Sequence, residues 1–386
     1  MNGLRNPAPA AEPVQRGRMP LLDIAKGVAC AVIVGHHLSR YGTMPVGAFL
    51  LAPDFLRWLA DDGRLAVQVF LVIAGFLSAS SLAPDGALRV DRPMARILQR
   101  YGRLVMPYMA ALTVCVLVEA LVRPWMAGDD VPASPSIGQL LAHGLLVQDL
   151  LGYEALSTGV WYVAIDFQLF VLALTLMGLP AMLRRAPAAA ASRERWIPVA
   201  LVLAVATASL LLFNRNADLD GTAFYFFGAY GLGMLAFWIG RATRASTWQS
   251  AVVLLALTGA GALAIDWRSR IAVALVSALL IAVAQRRDWL SLGQWPDAAM
   301  PLQRLGRISY SLFLIHFPVL LATNAVAAQL GPHSPWIDAL GMAGTFGLSV
   351  GAALLLHRGV EVRPVSWRAV AALFAALLVS GMLVSP

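Results

Sequence analysis

The sequence predicts an all-α polytopic membrane protein, a bundle of about 10–11 transmembrane helices with a cytoplasmic N-terminus. Three observations carry this expectation. Of 386 residues, 59% are hydrophobic and only 13% are charged, and mean hydropathy is +0.71. Soluble globular chains do not reach this balance. Apolar runs of membrane length recur along the whole chain, and arginine concentrates in alternate connections between them.

The runs fall at 21–40, 65–82, 104–122, 160–182, 197–213, 222–240, 248–265, 270–285, 308–330, 336–356 and 367–384. Most approach the roughly 20 residues that a helix needs to cross about 30 Å of hydrocarbon. Residues 248–285 read as a hairpin of two short spans. The stretch 137–152 is a weaker amphipathic run, expected to be interfacial or re-entrant. Residues 1–20 are polar and Pro-rich, with Arg5, Arg16 and Arg18. They read as a disordered cytoplasmic tail rather than a cleavable signal peptide.

Charge sets the orientation. With the N-terminus inside and eleven alternating spans, twenty-one arginines fall inside and seven outside. The inside set includes Arg184, Arg185, Arg193 and Arg195, and the outer loops hold acids such as Asp129, Asp130 and Asp149. The net charge of +8 is thereby explained by retained cytoplasmic loops, and no nucleic-acid partner is expected. Cys30 and Cys115 both sit in apolar runs and read as small core residues, not as a disulfide framework.

Polar residues inside the runs are the candidates for chemistry, because each ionised group costs roughly 2.5–3.5 kcal/mol at mid-membrane. LLDIAKGVACAVIVGHHL, residues 21–38, carries Asp23, the chain's only lysine Lys26, and the neighbours His36 and His37. At about 100° per residue, Asp23, Lys26 and His37 share one stripe, with ~16 Å of rise between Lys26 and His37. His36 turns away and reads as structural. Lys26 either snorkels in a pair with Asp23 or meets an anionic group entering from the cytosol. His37 is either a helix–helix hydrogen-bond partner or a general base, since imidazole titrates near neutrality.

Arg96, Arg100 and Arg103 in RPMARILQRYGR share a helix face. They anchor to headgroups or form a phosphate clamp, for which guanidinium forks are suited. In GVWYVAIDFQLF, Trp161 and Tyr162 read as interfacial aromatics, while Asp166 and Gln168 are expected at a depth similar to His37. Asp166 needs a partner: it orients the His37 imidazole, binds an acceptor hydroxyl, or pairs with an arginine. His316, near the middle of its span, either packs between helices or lines a pore. Ala74, Gly75 and Ser78 permit close helix approach. No P-loop, dinucleotide fingerprint, HExxH or GxSxG occurs, and His and Cys spacing supports no metal site.

These segments, in this order, resemble the integral-membrane acyltransferase 3 family of cell-envelope O-acyltransferases. The resemblance runs from about residue 21 to 365 and rests on LLDIAKGVACAVIVGHH, VQVFLVIAGFLSASS, RILQR, WYVAIDFQLF, LGRISYSLFLIHFPVLL and VEVRP. Lys26 stands where the family motif normally has Arg, and Asp166 where it usually has Glu. The resemblance implies a catalytic membrane unit over 21–365, with 366–386 as an additional C-terminal transmembrane helix. It implies acyl-CoA, most simply acetyl-CoA, as co-substrate, held by Lys26, Arg96, Arg100 and Arg103. It casts His37 and Asp166 as catalytic, and Asp23, Trp161, Gln168 and His316 as substrate-binding. The implied acceptor is an envelope glycan or glycolipid, and the implied location is a bacterial-type inner membrane. The family often carries a fused extracytoplasmic hydrolase-like domain. No stretch here is long enough for one, which implies action alone or with a separate extracytoplasmic acyl-transfer partner. Buried His, Asp and Lys equally suit a proton-coupled transporter or a lipid/oligosaccharide flippase.

Overall fold

The structure is a computed structural model that describes residues 19–126, 131–184, 196–291, 295–331 and 334–384. Arg5, Arg16, Arg18, Asp129, Asp130, Arg185, Arg193 and Arg195 lie outside the described residues. Among the described residues there are helices and no strands, and eleven helical segments are long and apolar enough to cross a membrane.

In chain order the helices are α1 (Pro20–Arg40), α2 (Met44–Ala48), α3 (Pro53–Asp62), α4 (Val67–Leu82), α5 (Pro93–Val122) and α6 (Ile137–Gly144). There follow α7 (Val160–Arg184), α8 (Trp196–Leu211), α9 (Ala223–Gly240), α10 (Ala245–Ile265) and α11 (Ser269–Arg286). The last four are α12 (Met300–Arg307), α13 (Ser309–Leu330), α14 (Pro335–Leu356) and α15 (Trp367–Val384). Proline opens α1, α3, α5 and α14, where its missing N–H has no helical acceptor to lose. Gly331 ends α13 at φ +79°, a conformation glycine adopts without a Cβ penalty.

Two helices form the centre: α9 is 83% buried and α13 is 72% buried. At the rim, α10, α14 and α15 are only 17–22% buried and present apolar side chains outward, as lipid-facing helices do. Close approach in the centre is bought with glycine. A Cβ on Gly306 of α12 would lie 1.7 Å from the Asp23 carbonyl oxygen, and one on Gly27 would lie 2.0 Å from that of Leu302. The same device joins α4 to α9, where Gly75 abuts the Tyr230 carbonyl, as the small-residue pattern predicts.

The segment 131–159 departs from a surface loop. A capping box between Ser136 and Gln139 starts α6. Ser134 Oγ donates to the carbonyl of Val384 at the end of α15, yet the Gly144 carbonyl accepts from Tyr101 near the start of α5. The chain then returns with His143, Gln148 and Leu156 fully buried. The segment therefore folds back into the bundle. Its last residue, Gly159, would place a Cβ 3.0 Å from the Phe313 ring, so α7 begins inside the helix bundle.

Candidate active site

The two histidines singled out on different spans meet. His37 Nδ1 lies 2.7 Å from His316 Nε2, and the rings stack at 4.9 Å with 10° between planes. His316 Nδ1 lies 2.9 Å from the Phe313 carbonyl oxygen and 3.2 Å from that of Leu312. A carbonyl only accepts, so His316 Nδ1 carries the proton. In the neutral ring, Nε2 is then an acceptor, and His37 Nδ1–H must donate to it. His37 Nε2 is left with a lone pair. His316 is 1% exposed, whereas His37 is only partly buried. The arrangement suits a general base or a nucleophile whose tautomer is set from behind. His36 instead donates to the Leu59 carbonyl at 2.9 Å, a structural bond.

Asp166 does not orient His37. Its carboxylate pairs with Arg100 at 2.5 Å, 66 residues away in sequence. Nor does it share His37's depth. The Tyr310 hydroxyl donates to the Leu104 carbonyl, which aligns α13 with α5. His316 lies six residues beyond Tyr310, about 9 Å of helix, and Arg100 lies four residues before Leu104, about 6 Å the other way. The ion pair thus sits roughly 15 Å from the histidines by helix rise. The physical reason is the inward start of α7: counting depth from a membrane edge at residue 160 misplaces everything after it.

Arg100 also stacks over Phe170 at 5.5 Å, and its Nε has no partner. The three-arginine face is divided. Arg100 turns inward, Arg96 donates to Gln99 on the surface, and Arg103 is exposed. Lys26 pairs with Asp23 at 2.7 Å, the i,i+3 partner expected of it. Gln168 Oε1 accepts from the first backbone N–H of α9, at Ala223, and Trp161 packs its ring 5.4 Å from Phe226.

Glu361 was not among the sequence candidates. Its carboxylate accepts from Ser311 Oγ at 2.5 Å, tying the VEVRP tail to the Ser-Tyr-Ser start of α13, and lies 3.0 Å from His357 Nδ1. An acid in an i,i+4 pair with His357 was the available signal. Among the described residues, no group of three His, Cys, Asp or Glu gathers as a metal site. On the fold-back segment, burial presses the His143 imidazole down to about 4. It donates to the Gln139 carbonyl and accepts from the Leu156 N–H. Burial lifts the Asp149 carboxyl to about 6.

A family model described as an acyltransferase domain matches residues 20–358. The chain belongs to the acyltransferase 3 family. It is a multi-pass membrane acyltransferase, and the matched range holds both the His37–His316 pair and the Arg100–Asp166 pair. Helix α15 lies beyond that range, yet it packs on α5 and α6, with Trp367 stacked on Tyr101 and Phe374 against Gly144. No curated protein and no solved structure matches the chain.

Proposed function

We propose that the protein is an O-acyltransferase of a bacterial-type inner membrane. It moves an acyl group, acetyl in the simplest case, from cytosolic acyl-CoA to a hydroxyl of an envelope carbohydrate or glycolipid. The His37–His316 pair carries this reading, because it leaves one imidazole lone pair available inside a membrane bundle. His37 Nε2 takes the proton of the acceptor hydroxyl as its oxygen attacks the thioester carbonyl. The new C–O bond forms, the C–S bond breaks, and the departing thiolate receives the proton from His37. His316 stabilises the transient imidazolium by accepting from Nδ1–H. A site enclosed by helices also keeps water from the thioester.

Arg100 is the proposed contact for the CoA phosphates, with Arg96, Arg103 and Lys26 nearer the cytoplasmic surface. Asp166 is a positioning residue in this scheme. It holds the Arg100 guanidinium in the bundle and keeps a buried cation paired between turnovers. The roughly 15 Å between the ion pair and the histidines suits an extended pantetheine arm. The attacking hydroxyl belongs to the final acceptor or to a separate extracytoplasmic partner that hands the acyl group on.

The test is CoA release from acetyl-CoA by the purified protein in nanodiscs, beside His37→Ala and Arg100→Ala. Turnover by the wild type and its loss in both variants is the expected result. If acetyl-CoA and longer acyl-CoAs neither bind nor turn over, the donor assignment fails. Dependence of cellular activity on a proton gradient would then favour a transporter.

A further inference from the structure

An apolar cavity of about 290 Å³ opens at the rim of the bundle near its outer end. Gly35 and Leu38, in the last two turns of α1, form its back wall. Leu56 and Leu59 of α3 form one side, and Ala343 and Phe346 of α14 form the other. Among the described residues, no lining side chain carries a nitrogen or an oxygen. A sugar, a phosphate or a peptide backbone entering here would lose its hydrogen bonds to water and gain none. The occupant is therefore a hydrocarbon.

Size and depth narrow the choice. A helix is about 10 Å across, so one turn of it takes up roughly 400 Å³ and a partner helix does not fit inside. At roughly 30 Å³ for a water-sized group, the cavity has room for on the order of ten methylenes, a large part of one lipid chain. Along α14 the lining starts at Ala339, about 6 Å below the outer end at Pro335, and continues for about 10 Å to Phe346. That matches most of one leaflet, about 15 Å of hydrocarbon. Trp336 at the head of α14 and Trp58 on α3 are both exposed, as aromatic residues of the membrane interface are. Helix α3 is amphipathic, with Leu56 and Leu59 buried and Asp54, Arg57, Asp61 and Asp62 exposed, so it lies in that interface with its apolar side inward. Leu51 and Phe55 leave the rim open, continuous with the lipid-facing side of α14.

We infer that this cavity is a lipid site that takes one alkyl chain of an outer-leaflet phospholipid. The chain presses on Leu59, against which the outer turns of α1 rest. A Cβ on Gly35 would lie 3.2 Å from the Leu59 side chain, and the Leu59 carbonyl accepts from His36. The lipid thus backs the turn of α1 that carries His37, from the side away from His316. Occupancy of the site does not depend on the acyl-transfer reading.

The experiment places the protein in phosphatidylcholine nanodiscs containing a rising fraction of an analogue with a diazirine midway along one chain. After irradiation, labelled residues are mapped by peptide mass spectrometry. Leu38 is 6% exposed and out of reach of bulk lipid except through the cavity, whereas the exposed Leu254 and Leu257 of α10 report bulk lipid. Labelling of residues 35–38 is expected to saturate with probe, while labelling of α10 rises in proportion to it. Ala343→Phe and Ala339→Leu fill the cavity from α14 without touching His37, His316, Arg100 or Asp166. Each is expected to lower the labelling of residues 35–38 about tenfold and to leave α10 within about twofold, because filling removes the apolar burial that holds the chain. The second variant covers the case in which the first does not fold. Absence of label on residues 35–38 in the wild type overturns the inference. So does labelling there that grows in proportion to probe and survives both substitutions, which would be bulk lipid only. A wild-type dimer that Ala343→Phe converts to monomer, with residues 35–38 unlabelled, would assign this face to a second copy of the chain and also overturn it. The readout is labelling, so a wild type that releases no CoA would end the acyl-transfer reading and leave this result standing.

Discussion

The molecule holds two polar centres of opposite design. At His37–His316, two rings from α1 and α13 satisfy each other by direction: one donates, the other accepts, and a backbone carbonyl decides which. At Arg100–Asp166, two helices exchange full charges, with Asp166 6% exposed and Arg100 about a third exposed. The first centre needs no net charge and leaves one nitrogen free for chemistry. The second is a charged clamp whose cation keeps a route outward. Directionality suits proton transfer, and an accessible cation suits an anionic ligand.

The sharpest way to break this contrast is at the histidines. His37→Ala is expected to lower acyl transfer about a thousandfold, and His316→Ala about a hundredfold, within the range of general-base loss. Steady-state assays on folded variants would read this. A His37→Ala enzyme within tenfold of wild type would remove the pair from the chemistry.

The ion pair should respond differently. Asp166→Asn is expected to raise the acyl-CoA KM about tenfold and to cost about 1–3 kcal/mol of stability. That cost is discounted from the fully buried case because Arg100 retains solvent contact. Arg100→Gln with Asp166→Asn should recover part of the melting temperature but none of the donor affinity. Equal donor KM in wild type and Asp166→Asn would mean that the pair is structural only.

Gly306→Ala probes the crossing that supports the Asp23–Lys26 face. Its Cβ must push the Asp23 carbonyl away, and overpacking of this kind costs about 1–3 kcal/mol. A lower melting temperature, with the acyl-CoA KM moved less than in Asp166→Asn, would separate helix packing from ligand contact.

The smallest effect is in pH. His143 stays neutral in the fold down to about 4, while an unfolded imidazole protonates near 6.5. The unfolded chain therefore binds the extra proton, so this contribution is full above pH 6.5 and declines as pH falls towards 4. His143→Gln should flatten that part of the melting-temperature profile. Asp149, raised from 3.8 to about 6, acts with opposite sign: its folded form is favoured at low pH, and stability is lost as pH rises through that window. Asp149→Asn should steepen the acid-side decline that His143 causes.

Much of the fold was legible because hydropathy is a one-dimensional property. Each of the eleven apolar runs corresponds to a span, and the Asp23–Lys26 pair follows from helical spacing alone. Edges were less legible. The run at 65–82 continues back through the amphipathic α3, and α5 begins eleven residues before its apolar stretch. The site was half legible. His37, Arg100, Asp166 and His316 are conspicuous as polar residues in apolar runs, but their partners are not. Neighbours 279 and 66 residues apart are joined only by packing.

The amino-acid sequence by itself determined a helical bundle of about 10–11 spans, its charge asymmetry and the short roster of intramembrane polar groups, since transfer from water to lipid depends on local composition. Only the tertiary structure decided which of those groups touch. It returned residues 131–159 into the bundle, started α7 inside it, and so paired Asp166 with Arg100 and left His37 to His316. The physical reason is that depth along a span depends on where the chain enters. A polar stretch enters wherever its buried hydrogen bonds are satisfied, as at His143 and Tyr101, and not wherever hydropathy changes sign.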